Sequence, residues 1–271
     1  MRSNKFPYLA FIVITLLVIK PGIGQQYSFI PFSVEEGLSQ TQVFDICSDD
    51  QGNVWFGTAG GASRFDGKHF TNYSTENGLN DNLVSKIISK NGFIWIATQH
   101  GITRIKEKQV QTYHLSELTE NNNITAIVID SQFLWLGVKD KGVLQINLTD
   151  NVPDLKDYIL HVPSEHLNIR SLFLDSKSKL WMASKGYLGY YLNNKWTTVK
   201  IPNSTNNISD IGEDSKSHIW ITTYNDGVYE YNLESFKNYN HLFGIDNDLV
   251  RSLYIDKNDN IWLSSKTGLT V

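Results

Sequence analysis

The sequence is short of cysteine, methionine and proline, with one Cys, two Met and six Pro in 271 residues, and it carries no long block of like charge. The lone Cys47 cannot close an internal disulfide, and no His or other base stands near it in its repeat unit to make it a nucleophile. Charged residues amount to 19% and sum to a net −4, which gives no electrostatic footprint for nucleic acid. No segment holds apolar residues at helical spacing over ten or more positions, so helix content should be near zero. Beyond the N-terminus no apolar run approaches the length that crosses a bilayer. What is plentiful is Asn, together with 19 Gly, the composition of many tight turns. A chain of this size can bury roughly 70–75% of its unfolded surface and needs no metal to fold.

The N-terminus reads as an address. Arg2 and Lys5 precede an apolar stretch from Phe6 to Ile19, too short for a comfortable spanning helix. Gly22 and Gly24 then supply small residues before a cut at Gln25, which makes 1–24 a secretory signal peptide and 25–271 the mature domain. Its removal takes away three basic residues and no acid, leaving 21 basic against 28 acidic, a net −7. The expected location is periplasmic or secreted. Membrane contact is expected only through missing C-terminal segments or an uncleaved signal.

Trp55, Trp95, Trp135, Trp181, Trp220 and Trp262 recur at intervals of 39 to 46 residues. Eleven or twelve residues before each stands a branched residue: Val43, Val84, Ile124, Ile169, Ile208 and Val250. Three further on comes an apolar one: Ile46, Ile87, Ile127, Leu172, Ile211 and Leu253. Five to seven residues after each Trp comes a Gly: Gly61, Gly101, Gly142, Gly186, Gly227 and Gly268. Within one unit, Val43–Ser48, Val54–Thr58, Ala62–Phe65 and His69–Ser74 read as four short strands separated by Asp/Gly/Asn turns. Four antiparallel strands per unit of about 40 residues, repeated around an axis, predict an all-β fold, a β-propeller of six units centred on those Trp residues.

The two ends are complementary. Phe29–Leu38 matches Phe70–Leu79, the outermost strand of the first unit and the loop beyond it, whereas Val250–Val271 stops inside a third strand. Either residues 27–34 complete the last blade and the ring closes at six, or the chain holds part of a seven-bladed propeller. The stop inside a strand favours the second expectation.

Val43, Ile46, Asp49, Gly52, Asn53, Trp55, Gly57, Thr58, Gly60 and Gly61 resemble the two-component regulator propeller repeat. So do Asp256, Asn260, Ile261, Trp262 and Gly268, and the lead-ins Glu36-Gly37-Leu38 and Asn77-Gly78-Leu79. The resemblance covers residues 33–271. The third unit departs from it, with Val138 where Thr is usual and no Gly before its Trp, and the fourth has a shortened turn at Lys185-Gly186. It implies the exported sensor of a bacterial histidine kinase, often one that senses oligosaccharides, followed in the family by a β-sandwich, a membrane helix and kinase modules. None of those modules lies in the 271 residues, so the resemblance implies no kinase activity here.

By type alone the six Trp could stack on sugar rings, but a Trp at one strand position per blade reads as a wedge between neighbouring sheets. Trp196, off the period, reads as outer-edge packing. The Asp-rich turns Asp49–Asn53 and Asp256–Asn260 read as hairpin turns, the second lacking the Gly and later Glu of a calcium loop, and the seven His form no cluster with metal-ligand spacing. No nucleophile elbow or phosphate loop occurs. No metal, cofactor or catalytic residue is therefore expected.

Propeller ligands usually sit where the turns between second and third strands meet the lead-ins to the innermost strands. That face offers Gln99, His100, Lys139, Asp140, Lys185, Tyr224, Asn225, Asp226 and Lys266, with Arg170 and Arg251 opening innermost strands. The expectation is a non-catalytic sensing domain for a small polar ligand such as an oligosaccharide, coupled to downstream receptor modules or a partner protein and binding no nucleic acid. The rivals are a secreted protein-binding scaffold and a propeller polysaccharide lyase or hydrolase. The latter would have to draw on Asp140, Asp226 and His100 from three different blades.

Overall fold

The structure, a computed structural model, describes residues 31–115, 123–149, 152–161, 168–202, 207–243, 245 and 249–271. The expected signal at 1–24 and the first half of the expected strand at 27–34 lie outside them. Six antiparallel sheets follow one another along the chain, with strands paired in sequence order, five of four strands and the last of three. Their innermost strands are Val43–Ser48, Val84–Lys90, Ile124–Ile129, Ile169–Leu174, Ile208–Glu213 and Val250–Ile255, and each packs against the next. The chain is a six-bladed β-propeller, and among the described residues the helical segments are two three-residue 3-10 turns.

The repeated Trp is the wedge that its spacing predicts. Trp55 packs with Val84, Ile87, Ile94 and Ile96 of blade 2, and Trp95 with Ile124, Ile127 and Leu134 of blade 3. Trp135 and Trp181 do the same for blades 4 and 5. Each interface thus joins the Trp face of one blade to the branched residues of the next, and dispersion and burial of large side chains hold the blades together.

The wedge has a polar anchor. In five blades an Asp five or six residues before the Trp accepts the indole N–H: Asp49 (2.9 Å), Asp130 (3.0 Å), Asp175 (2.9 Å), Asp214 (3.0 Å) and Asp256 (3.2 Å). The same carboxylates accept backbone amides of their own turns, as Asp49 does from Gln51 and Asn53. The Asp-rich turns are therefore committed to the fold. Blade 2 has Lys90-Asn91-Gly92 there, and Arg104 lies 5.8 Å over Trp95 instead.

These bonds carry a pH dependence. The side-chain amide of Asn260, with the Trp262 indole behind it, holds the Asp256 carboxyl at about 2 against an ordinary 3.8. A carboxyl whose folded value is depressed contributes stability above its unfolded value, and loses it as pH falls toward the folded one. Denaturant midpoints should therefore decline from about pH 4 down to pH 2, and Asp256→Asn should flatten part of that decline. A variant with the unaltered acid profile would show that the turn does not depend on the charge.

The recurrent Gly after each Trp has positive φ in every blade, and at Gly61, Gly101 and Gly227 backbone crowding adds to that demand. Gly61 has φ +119°, and a Cβ there would lie 2.1 Å from the carbonyl oxygen of Tyr73 in the outermost strand. Thr58 closes the same turn by donating its hydroxyl to the Gly61 carbonyl (2.8 Å), as Thr98 does to Gly101 and Thr223 to Gly227.

Candidate functional site

Hydrogen bonds bring the turns between second and third strands together with the lead-ins to innermost strands. Ala59 N–H donates to Gln42, Lys139 N–H to Asn123, and Tyr224 N–H to Asn207, all backbone to backbone. Lys185 of blade 4 bridges to Asn207 at the lead-in of blade 5. One rim of the propeller is thus built from the loops that differ most between units.

Every innermost strand slips register after its first residue, so that Phe44, Ser85, Thr125, Arg170, Ser209 and Arg251 are bulged out of the ladder. A bulge re-aims its side chain. Ser85 and Ser209 use the freedom to tie blades together, donating to the Ile124 (2.6 Å) and Val250 (2.7 Å) carbonyls of the following blade. Arg170 instead lays its guanidinium 4.7 Å over the ring of Tyr224 in blade 5. Its Nε is buried without a hydrogen-bond partner. A desolvated donor without an acceptor is costly, and an aromatic-backed guanidinium suits a carboxylate or another acidic group.

Next along the same turn, Asn225 and Asp226 line a cavity of about 380 Å³ with Pro202, Tyr229, Phe236, Asn238 and Asn240. Tyr229 and Phe236 meet edge to face with centroids 6.5 Å apart. The Asn238 amide is fixed by donating to the Asp226 carbonyl (2.8 Å), and Asn240 donates to Asn238 (3.1 Å). Apolar ring surface bordered by oriented amides and a carboxylate matches a ligand that alternates C–H faces with hydroxyls.

The other expected residues sit elsewhere on the rim. Gln99, Lys139 and Asp140 line a second cavity of about 390 Å³ with Asn123 and Lys141, between blades 2 and 3. His100 Nδ1 stands 2.5 Å from Asp81 Oδ2. Arg251 and Lys266 are exposed on blade 6. The structure thus gathers Arg170, Lys185, Tyr224, Asn225 and Asp226 at blades 4 and 5, and separates them from the rest. Asp140 and Asp226, the carboxyls a hydrolytic mechanism would have to pair, line different cavities, and His100 is paired with neither.

The axial channel holds groups that the sequence reading missed. Asp45, Lys86, Ser171 and Asp210 line a cavity of about 490 Å³ along the axis. Each occupies the third position of its innermost strand, a signal visible once the units are aligned. Asp45 accepts the Ile87 amide of the next blade (2.9 Å), and Asp210 accepts the Ser171 hydroxyl (2.9 Å) and the Leu253 amide (3.3 Å). Burial pushes the Asp210 carboxyl up, against the charge of Lys86 and these hydrogen bonds. The channel groups are spent on joining blades.

Residues 37–60 match the sequence pattern of the family described as two component regulator propeller, as the motif resemblance implies. Histidine kinase P4 of Formosa agariphila is 29% identical over 120 residues, which is 38% of this chain and 9% of that protein. The extracellular domain assigned to a hybrid two-component system of B. thetaiotaomicron superposes with a TM-score of 0.55 at 19% identity, over 90% of this chain and 41% of that one. Virginiamycin B lyase from Staphylococcus aureus superposes with a TM-score of 0.69 at 16% identity, over 83% and 78% of the two chains. At such identities these likenesses show the fold. The chain spans well under half the length of the two-component relatives.

Proposed function

We propose that this two-component-type propeller is an exported, non-catalytic sensing domain that binds a polar, hydroxyl-rich ligand of the oligosaccharide class at the rim of blades 4 and 5. The observation that carries the reading is the Tyr229/Phe236 cavity edged by Asn225, Asp226, Asn238 and Asn240, beside the guanidinium stacked on Tyr224. The repeat match and the kinase relative support a place in signal transduction, and the expected signal peptide supports export. Binding would act on downstream modules or a partner protein only through unequal affinity for two of their arrangements.

The test is titration of the purified chain against neutral and acidic oligosaccharides, with new reducing ends and unsaturated products scored in parallel. Binding without turnover is expected. Asp226→Ala should weaken it at least about tenfold, the scale of one lost hydrogen bond to a charged group. Arg170→Ala should weaken acidic ligands more than neutral ones. Product formation would support the lyase or hydrolase reading instead, and unchanged affinity in both variants would move the site off this rim.

A further inference from the structure

Two residues before each repeated Trp the blades carry Asn53, Phe93, Phe133, Lys179, His218 and Asn260. In blades 1 and 6 the side-chain amide at that place donates to the Asp that anchors the indole, Asn53 to Asp49 (2.8 Å) and Asn260 to Asp256 (2.9 Å). Blade 5 has an imidazole there, and it faces two carboxylates. His218 Nδ1 stands 2.7 Å from Glu230 Oε1 and 3.6 Å from Asp214 Oδ2. Glu230 lies opposite Trp220 on the third strand, where blades 1 to 4 have Arg64, Arg104, Gln145 and Tyr190. Among the described residues, blade 5 alone sets a histidine against a carboxylate at this pair of positions.

One side chain ties the pair to the cavity at blades 4 and 5. The Tyr239 hydroxyl donates to Glu230 Oε2 (2.7 Å), and its ring stacks on Trp220 with centroids 5.5 Å apart. Tyr239 stands between Asn238 and Asn240, both of which line the cavity. Neighbours along a strand point to opposite faces, so Tyr239 anchors the strand from behind Asn238. Its carbonyl oxygen also lies 2.3 Å from where a Cβ on Gly227 would stand, directly after Asn225 and Asp226. Both pieces of the cavity thus touch Tyr239.

The other charges around His218 are engaged elsewhere or open to solvent. Asp214 accepts the Trp220 indole (3.0 Å) and the Lys216 and His218 amides (both 2.9 Å). Lys237 of the outermost strand lies 4.5 Å over the Tyr239 ring. From blade 6, Asp259 accepts the Ser215 amide (2.9 Å) and hydroxyl, and Asp256 accepts from Asn260 and Trp262. From the blade 4 side, Ser176 occupies Glu213 (2.6 and 2.8 Å). Lys216 and Lys257 are exposed. A proton on His218 is therefore felt first by Glu230.

We infer that His218 is a proton-operated positioning residue for the cavity: protonated, it fixes Glu230, which fixes Tyr239 and with it the edge at Asn238 and Asn240. The imidazolium carries an N–H on both ring nitrogens and gives Glu230 a charge-assisted bond. The neutral ring has one N–H, and when that sits on Nε2 the Nδ1 lone pair opposes a carboxylate oxygen. Histidine changes charge between about pH 5 and 8, so the edge is firm at the acid end of that range and loosens toward the other. That ligand meets this edge rests on the function proposed above; that the edge answers to His218 does not.

The test first follows the chain without ligand, by amide exchange corrected for the intrinsic effect of pH and by NMR titration of the His218 ring. Protection of Phe236–Tyr239 should fall about three- to fivefold from pH 5 to pH 8, the scale that separates a charged from a neutral hydrogen bond. Its midpoint should coincide with the titration of the ring, and Gln109–His114 of blade 2 should stay level. His218→Asn should fold, as Asn does at this place in blades 1 and 6, and give a level profile. Glu230→Gln should level it too, and decides the matter if His218→Asn does not fold. A level profile in the chain itself, or a slope retained in these variants, would overturn the inference. Titration with linear neutral gluco- and manno-oligosaccharides, whose charge does not change with pH, separates the two readings. The affinity of one that binds should decline by the same factor in the chain and not in His218→Asn, and a pH-independent affinity would overturn the positioning role. If none binds while protection follows His218, the oligosaccharide reading falls and the positioning of the strand stands.

Discussion

Asp175→Ala is expected to lower folding stability by about 3–4 kcal/mol, because one small change orphans a fully buried indole donor and two partly buried amides. Asp175 is 7% exposed and Trp181 is fully buried. One carboxylate oxygen accepts the Lys177 (2.9 Å) and Lys179 (2.8 Å) amides, and the other accepts the Trp181 indole (2.9 Å). Alanine leaves the indole N–H inside the blade 4–5 core with no acceptor and frees a turn that sets the start of the second strand. Trp181→Phe removes the donor and keeps the turn, so the double variant should cost less than the two single ones added together, with a coupling of about 1–2 kcal/mol in urea denaturation. Additive losses, or a loss below about 1 kcal/mol for Asp175→Ala, would reduce the Asp to an ordinary turn residue.

Gly61→Ala should be as damaging for a different reason. The backbone at φ +119° disfavours any side chain, and the added Cβ would lie 2.1 Å from a carbonyl oxygen that belongs to the paired outer strand. The conformational penalty of roughly 1–2 kcal/mol and an overpacking cost of about 1–3 kcal/mol fall on the same atom, and the strand cannot yield without breaking its ladder. Gly67→Ala is the control. Gly67 also has positive φ (+94°), but nothing lies within 4 Å of its would-be Cβ, so only the conformational part remains. Equal midpoints for the two variants in thermal denaturation would show that the contact with Tyr73 is not what selects glycine.

The contrast between these two positions marks what was legible in the sequence. Gly61 and its counterparts, like the Trp wedge, answer a demand that every blade makes in the same way, so they recur and can be read by period alone. The role of Asp175 was hidden because Asp opening a polar run such as Ser176-Lys177-Ser178 reads as a turn residue, although its distance of five or six residues from the Trp in five units carries the second meaning. The bulge at Arg170 was hidden as well, since one unpaired residue leaves no mark on a spacing of eleven or twelve.

That the variable turns and lead-ins would meet at one rim was legible in the sequence. Its division was not foreseen, because the cavity at blades 4 and 5 borrows Tyr229, Phe236, Asn238 and Asn240 from third and outermost strands and their exit. Those residues look like ordinary strand until the neighbouring lead-in, with Pro202, is placed against them. Lys266 and Arg251 illustrate the opposite case: they match the pattern of the rim, yet they stand exposed on blade 6, away from that cavity.

The central claim is that ligand binds at the rim of blades 4 and 5, and a hydrogen-exchange footprint of the chain with the tightest binder from the oligosaccharide panel tests it most directly. The account predicts slowed exchange in Tyr224–Tyr229 and Phe236–Asn240, lost in Asp226→Ala, with the axial strands Val43–Ser48 and Val84–Lys90 unaffected. Protection confined to the axial channel or to the Lys139–Lys141 turn, and retained in that variant, would contradict it.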